Sequence, residues 1–259
     1  MTRSRRSSRA AIVAALFVAG VATASAQRGF GFRGRAIPVE ANAPYDGQFT
    51  FVRLRYGPKM DFVSQRIPWS HDYPAGERHF MKILNEVSLL HPHLQEVNIL
   101  GFDDPELFKY PVAYMAEPGY LTLSDQEVAG FRAYLLKGGF VIFDDFSPNR
   151  GGWGPFESQM LRVLPEARFV DLDATHPIFH SFFEIDNLDI IPQYYDSGKP
   201  IFRGIFESND PTKRLLVMVN YNTDISEYWE FSDLGLKPID ESNEAYKLGV
   251  NYVIYGMTH

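Results

Sequence analysis

The sequence predicts an α/β domain built on a doubly wound, mainly parallel sheet, and three observations carry that expectation. Apolar runs of strand length, such as Phe140-Val141-Ile142-Phe143, show no polar alternation, as strands buried on both faces do. Other segments place apolar residues at helical spacing, as at Phe80, Ile83, Leu84 and Val87. Strand, helix and strand then repeat across short connections, the order that builds a parallel sheet. With 259 residues, 45% hydrophobic and 15% aromatic, the chain has material for one large core rather than several.

The first 26 residues read as an export signal. Arg3, Arg5, Arg6 and Arg9 form a basic start, residues 10–21 an apolar run, and Ala24-Ser25-Ala26 a small-x-small cleavage site. The apolar run is shorter than the ~20 residues a bilayer span needs, so cleavage is expected, leaving no stable membrane span. The expected location is periplasmic or secreted, by the Sec route or, given Ser4-Arg5-Arg6, the twin-arginine route. Loss of this segment, with its four arginines and no acid, takes the formal net charge from −7 to −11. A chain this acidic lacks the basic footprint that nucleic acid or anionic lipid requires. It also contains no cysteine, which excludes disulfides, thiolate metal sites and a cysteine nucleophile.

Residues 27–48, with Gly29, Gly31, Gly34, Pro38, Pro44 and Gly47, read as a flexible tether, and residues 49–259 as the domain. Residues 49–56 are rich in aromatic and β-branched side chains and form the first strand, closed by Gly57-Pro58. The Phe80 helix follows and stops at His91-Pro92, because proline disfavours a helical residue before it. Strands are expected at 97–100 and 110–116. Ser124-Asp125-Gln126-Glu127 is a capping box opening a helix that buries Val128, Phe131 and Leu135 and ends at Gly138. Beyond the strand at Phe140 come a helix over 155–164, a strand over 169–172 and a short helical segment from His176-Pro177. Paired strands over 199–206 and 214–221 and a last helix over 244–255 complete the expected order.

Asp144 and Asp145 end a strand that should be central, where parallel sheets bind ligands. Alternation sends neighbouring side chains to opposite faces, so one of the pair should face the crevice and the other cap the next segment. A crevice carboxylate can serve as a general base, a hard-metal ligand or a hydroxyl acceptor. His71 and Asp72, flanked by Trp69 and Tyr73, suit a sugar or peptide ligand, or else a packed loop with Asp72 capping the next helix. Arg53 and Arg55 share one strand face and suit a carboxylate or phosphate, or else pair with local acids. Asp171, Asp173 and His176 form a weak metal-ligand group that also fits a turn with a helix cap. No cofactor is expected, a divalent metal being the one open addition.

Arg53, Arg55 and Tyr56, the Trp69…Asp72-Tyr73-Pro74 loop, Asp104-Pro105-Glu106-Leu107-Phe108…Tyr110-Pro111, Leu123-Ser124…Glu127 and Gly138-Gly139…Asp144-Asp145 together resemble the bacterial domain of unknown function 4159 family. The resemblance implies a flavodoxin-like sheet related to the class I glutamine amidotransferase-like fold. It also implies an exported setting near MoxR-type ATPases and von Willebrand factor A-like proteins, while Arg53, Arg55, Tyr56, Trp69, Asp72 and Tyr73 stand as the candidate ligand contacts read from the residues themselves. It implies no activity, and cysteine-dependent amide hydrolysis is excluded by composition. Two readings follow. One is a non-catalytic, amidotransferase-like domain that binds a cell-envelope ligand or protein partner. The other is a carboxylate- or metal-dependent hydrolase of envelope carbohydrate or peptide, with Asp144, Asp145 and His71 as catalytic candidates. Exposed clustered aromatics favour the first reading, and converging acids with a histidine the second.

The mature protein is expected to begin at Gln27. Intact-mass measurement of periplasmic material checks this, and a mass that retains the first 26 residues would make the protein a tethered one.

Overall fold

The apolar runs become the interior of a seven-stranded sheet. In the computed structural model, which describes residues 36–64, 66–146, 151–189, 191 and 198–259, nine strands and five α-helices are present. The strands are β1 (Ile37–Pro38), β2 (Phe51–Arg55), β3 (Phe62–Val63), β4 (Val97–Gly101), β5 (Val112–Ala116), β6 (Phe140–Phe146), β7 (Val170–Asp171), β8 (Ile201–Phe206) and β9 (Leu215–Tyr221). The helices are α1 (Ala75–Val87), α2 (Asp125–Leu136), α3 (Trp153–Val163), α4 (Ile225–Glu230) and α5 (Ile239–Thr258). The expected signal segment lies outside the described residues.

The main sheet runs β4-β2-β5-β6-β9-β8-β7. Its first five strands are parallel, and β8 and β7 add an antiparallel edge. Ranked by chain position, the parallel strands stand in the order 2-1-3-4-5, the flavodoxin-like arrangement, whose order reverses between β2 and β5. That reversal opens a crevice at the carboxyl edge, because the connections leaving the two strands diverge to opposite sides. Helices α1, α4 and α5 pack together on one face, and α2 and α3 on the other. No helix among the described residues is long and apolar enough to cross a membrane.

Local chemistry sets the element ends. The Ser124 hydroxyl accepts from the Glu127 amide at 3.2 Å while the Glu127 carboxylate accepts from the Ser124 amide at 2.8 Å, so the capping box forms as the sequence dictates. The edge strand β4 is shielded from outside pairing by Asn42, whose side-chain oxygen and amide satisfy Ile99 N–H (2.8 Å) and C=O (3.1 Å). Within the expected tether, Asn42 and Ala43 are therefore held against the sheet, the Ala43 amide also donating to Asn98 Oδ1 at 2.8 Å. A side-chain amide copies a strand's donor and acceptor pair, and glycine counting does not register that. Strand β7 is shorter than expected and antiparallel, pairing with β8.

Gly249 in α5 is fixed by close approach. A Cβ there would lie 2.6 Å from Trp229 Cζ2 and 2.7 Å from Phe80 Cε2, two rings stacked at 4.4 Å. Gly249→Ala is expected to cost about 1–3 kcal/mol through overpacking. Urea unfolding checks this, and an unchanged midpoint would show that α5 can shift away at no cost.

Candidate functional site

Four loops meet at the carboxyl edge of the parallel strands, two of them flanking the strand reversal. The loop after β2 supplies His71 and Asp72, the turn after β5 supplies Glu117, the end of β6 supplies Asp144 and Asp145, and the turn after β9 supplies Asp224. All four carboxylates other than Asp144 are buried together with it, each at most 4% exposed, while His71 is 19% exposed. His71 is thus the member through which the group meets the surface.

Asp144 and Asp145 divide their work as neighbouring strand residues can. The Asp144 carboxylate accepts from Tyr114 Oη (2.9 Å), Asn220 Nδ2 (2.8 Å) and the backbone amides of Ile225 (3.3 Å) and Ser226 (3.1 Å). It thereby ties the first turn of α4 to the sheet, and Tyr252 Oη holds Asn220 from behind at 3.0 Å. Burial pushes Asp144 up to about 6 against the pull of the Asn220 and Tyr114 hydrogen bonds, and a carboxylate met by four donors is held in its ionised form. The pairing of β6 with β9 slips between Phe143 and Phe146, and at this bulge Asp145 adopts a left-handed backbone, φ 53°. Its carboxylate turns to His71, with Nδ1–Oδ2 at 3.4 Å.

His71 Nδ1 also lies 3.0 Å from Glu117 Oε1. Burial alone would lower the imidazole, but its hydrogen bonds to Asp145 and Glu117 and the charges of Glu117 and Asp72 outweigh it and raise the group to about 11. Glu117 (φ 46°) and Asp72 (φ 63°) also sit in the left-handed region, as does the neighbouring Asn222 (φ 57°). Four left-handed residues other than glycine at one sheet edge mark a place where packing holds unfavourable backbone in position, as functional sites commonly do. Tyr56 contributes by donating its buried hydroxyl to the Glu117 carbonyl at 2.9 Å, which fixes that turn.

On the α4 side, Ser226 Oγ lies within hydrogen-bond distance of Asp72 Oδ2 (2.5 Å) and of Asp224 Oδ1 (3.1 Å), with one hydroxyl proton between the two, and Asp224 caps α4 through the Glu227 amide (2.9 Å). Gly76 permits this closeness, since a Cβ there would lie 3.3 Å from the Ser226 carbonyl. Asp224 is raised well above the usual carboxylate range by burial and by the charges of Asp145 and Asp72. Glu230 is raised to about 9 by burial and by the charge of Asp72, with which it shares a hydrogen bond. Two trios offer one ligand atom each within 4.8 Å of one another: His71, Glu117 and Asp145, and Asp72, Asp145 and Asp224.

Other candidates fall elsewhere. Arg53 is fully buried, its Nε on Glu77 and its other guanidinium nitrogen donating to the Trp69 carbonyl at 2.8 Å, so it is a structural ion pair and not a ligand contact. Arg55 is half-buried and donates to the Gly57 carbonyl at 3.2 Å. Trp69 and Tyr73 are buried in the core and present no stacking surface. Asp72 does not cap α1 with its side chain, because the helix begins at Pro74 and the carboxylate turns to Ser226 instead. Asp171 pairs with Arg203 (2.8 Å), Asp173 accepts from the Thr175 amide (2.9 Å), and His176 Nδ1 accepts from the Ile178 amide (3.2 Å). Turn and cap bonds thus occupy the group that spacing offered as a metal site. Sequence reasoning missed Glu117, Asp224, Ser226 and Glu230. The cap pattern Asp224…Glu227 ahead of Tyr228-Trp229 was a legible sign of α4, whereas Glu117 before Pro118-Gly119 looks like any turn residue.

Fold and site define a flavodoxin-like α/β domain with an acidic, histidine-bearing centre at its strand reversal. The family model described as "Domain of unknown function (DUF4159)" matches residues 50–257, and the chain belongs to that family. No curated protein matches the sequence.

Two outcomes follow from this geometry. Asp144→Asn would set an amide NH2 against two of the four donors and is expected to cost about 2 kcal/mol in urea unfolding, while an unchanged midpoint would remove Asp144 as the anchor of α4. For pH the signs agree. A carboxyl raised on folding loses stability as pH climbs from its unfolded value to its folded one, 4.5 to about 9 for Glu230. A raised imidazole contributes fully below 6.5 and loses its contribution as pH approaches about 11. The melting temperature of chelator-treated protein should therefore fall between pH 6.5 and 9, and a rise across that window would contradict the assignment.

Proposed function

We propose that the protein is a divalent-cation-dependent hydrolase acting on cell-envelope carbohydrate or peptide. The convergence of His71, Asp72, Glu117, Asp145 and Asp224 carries this reading. Four buried carboxylates against one imidazolium leave an excess of negative charge, and in a low-dielectric site that excess calls for protons or a cation. The imidazole and carboxylates of His71, Glu117 and Asp145 make a mixed nitrogen and oxygen donor set of the kind that zinc and manganese accept. Burial of Trp69 and Tyr73, the two aromatics flanking His71 and Asp72, weighs against the purely binding alternative.

The chemistry is ordinary hydrolysis. A cation held by these residues would supply an acidified water as nucleophile. A carboxylate of the cluster would take that water's proton as it attacks the electrophilic carbon and would pass the proton on to the leaving oxygen or nitrogen. One water is consumed and no redox partner is needed. An envelope substrate rests on the export reading of the first 26 residues, and no nucleic acid suits a chain this acidic.

Thermal melting after chelation, with Zn2+, Mn2+, Mg2+ and Ca2+ added singly, tests the cation. At a concentration 100-fold above Kd the linkage is about 2.7 kcal/mol, a readily measured upward shift. Cleavage of cell-wall fragments should then need the same ion and be lost in Asp145→Asn, a change the left-handed backbone tolerates. No shift with any of the four ions would overturn the reading.

A further inference from the structure

Arg53 is a buried guanidinium in contact with three separate parts of the fold. Its Nε donates to Glu77 in the first turn of α1, its Nη1 donates to the Trp69 carbonyl at 2.8 Å, and its Cζ lies 5.2 Å from the centre of the Tyr114 ring on β5. We infer that Arg53 is a positioning residue for the candidate centre, setting the loop that carries His71 and Asp72 against Glu117 and Asp145. The inference rests on the proposed cation-dependent reading and adds what keeps the ligands of that site in place.

The hydrogen bonds that shape this loop are local. The amides of Ile67, Ser70, His71 and Tyr73 donate to the carbonyls of Ser64, Ile67, Pro68 and Ser70 in turn, and Ser70 Oγ lies 2.9 Å from the carbonyls of both Ser64 and Ile67. Bonds of this kind fix the shape of a turn and leave its place on the sheet to something else. The bond from Arg53 on β2 to the Trp69 carbonyl, two residues before His71, supplies that tie, and Glu77 holds the guanidinium that makes it.

Charge alone does not account for an arginine here. A buried ion pair costs desolvation, and apolar residues of similar volume commonly serve stability as well. What a guanidinium supplies is a rigid planar fork, so the donors to Glu77 and to Trp69 are oriented together and the loop is set relative to α1. The ring beside it extends the same frame. Tyr114 donates to Asp144 Oδ2 at 2.9 Å, and Asp144 holds the start of α4, which Asp224 caps. Arg53 therefore joins the loop side of the centre to its α4 side.

Two variants of the full-length protein test the proposal, with circular dichroism and urea unfolding as the check of fold. Arg53→Lys keeps a charge beside Glu77 and removes the fork, whereas Arg53→Met combined with Glu77→Met removes the pair without leaving a lone buried charge. Binding of Zn2+ and of Mn2+ to chelator-stripped protein is followed by calorimetry, and the His71 imidazole by NMR before any ion is added. The double variant is expected to fold, to lose at least about tenfold in affinity for the better-bound ion and to show shifted His71 resonances, with Arg53→Lys moving both in the same direction. An unchanged affinity in the folded double variant overturns the positioning role and leaves cation dependence standing. If the double variant does not fold, Arg53→Lys decides by the same readouts, and failure of both to fold overturns the role in favour of stability alone. No ion bound by the parent overturns the cation-dependent reading, and unmoved His71 resonances then overturn the role of Arg53 as well.

Discussion

The carboxylate of Asp144 is the constraint on which the edge of the sheet depends. A fully buried charge is tolerable only when every oxygen is met by donors, and here Tyr114, Asn220 and two amides of α4 meet it. Those four bonds join three adjacent parallel strands, β5, β6 and β9, to the start of a helix that is only six residues long. So short a helix has little stability of its own, and its position is borrowed from the sheet. Since Asp224 and Ser226 ride on its first turn, the anchor behind them also fixes half of the acidic centre.

The next residue, Asp145, turns the opposite way because the strand bulges, and the difference in role follows from backbone geometry alone. Asp144 is satisfied by the protein. Asp145 belongs to a group of like charges in which a single imidazole, raised to about 11, is the cationic member at the mouth. A fold evolved only for stability gains nothing from gathering Asp72, Glu117, Asp145 and Asp224 below the surface, since well-packed apolar residues of similar volume serve at least as well. The retained charge, at the strand reversal where flavodoxin-like sheets place their ligands, is what connects this architecture to chemistry.

The acidic edge follows from the sheet topology and is tuned through turns. Tyr56 holds the Glu117 turn, Gly76 admits Ser226, and the stacked pair Phe80–Trp229 seats α5 against α4 and α1. Each is a packing or hydrogen-bond device that sets backbone position. Together they over-determine the left-handed backbone at Asp72, Glu117 and Asp145.

By itself the sequence determined the α/β class, the order of the seven main-sheet strands and of every α-helix but α4, the capping box at Ser124 and Glu127, and the placing of Asp144 and Asp145 at the end of a buried strand. Those features are local, written in periodicity, caps and turn residues within a few positions of one another. His71 and Asp72 were legible as a loop of costly residues, yet the same reasoning left Arg53, Trp69 and Tyr73 open between ligand contact and packing or pairing, and they lie in the core. Only the tertiary structure decided which acids meet, because Glu117 and Asp224 reach His71 and Asp72 through the strand order 2-1-3-4-5 and not through proximity in the chain. Charge compensation was equally invisible, since whether a carboxylate is capped, paired or crowded depends on side chains up to 154 positions away, as between Asp72 and Ser226. Burial then sets the electrostatics, and burial is a property of the folded whole.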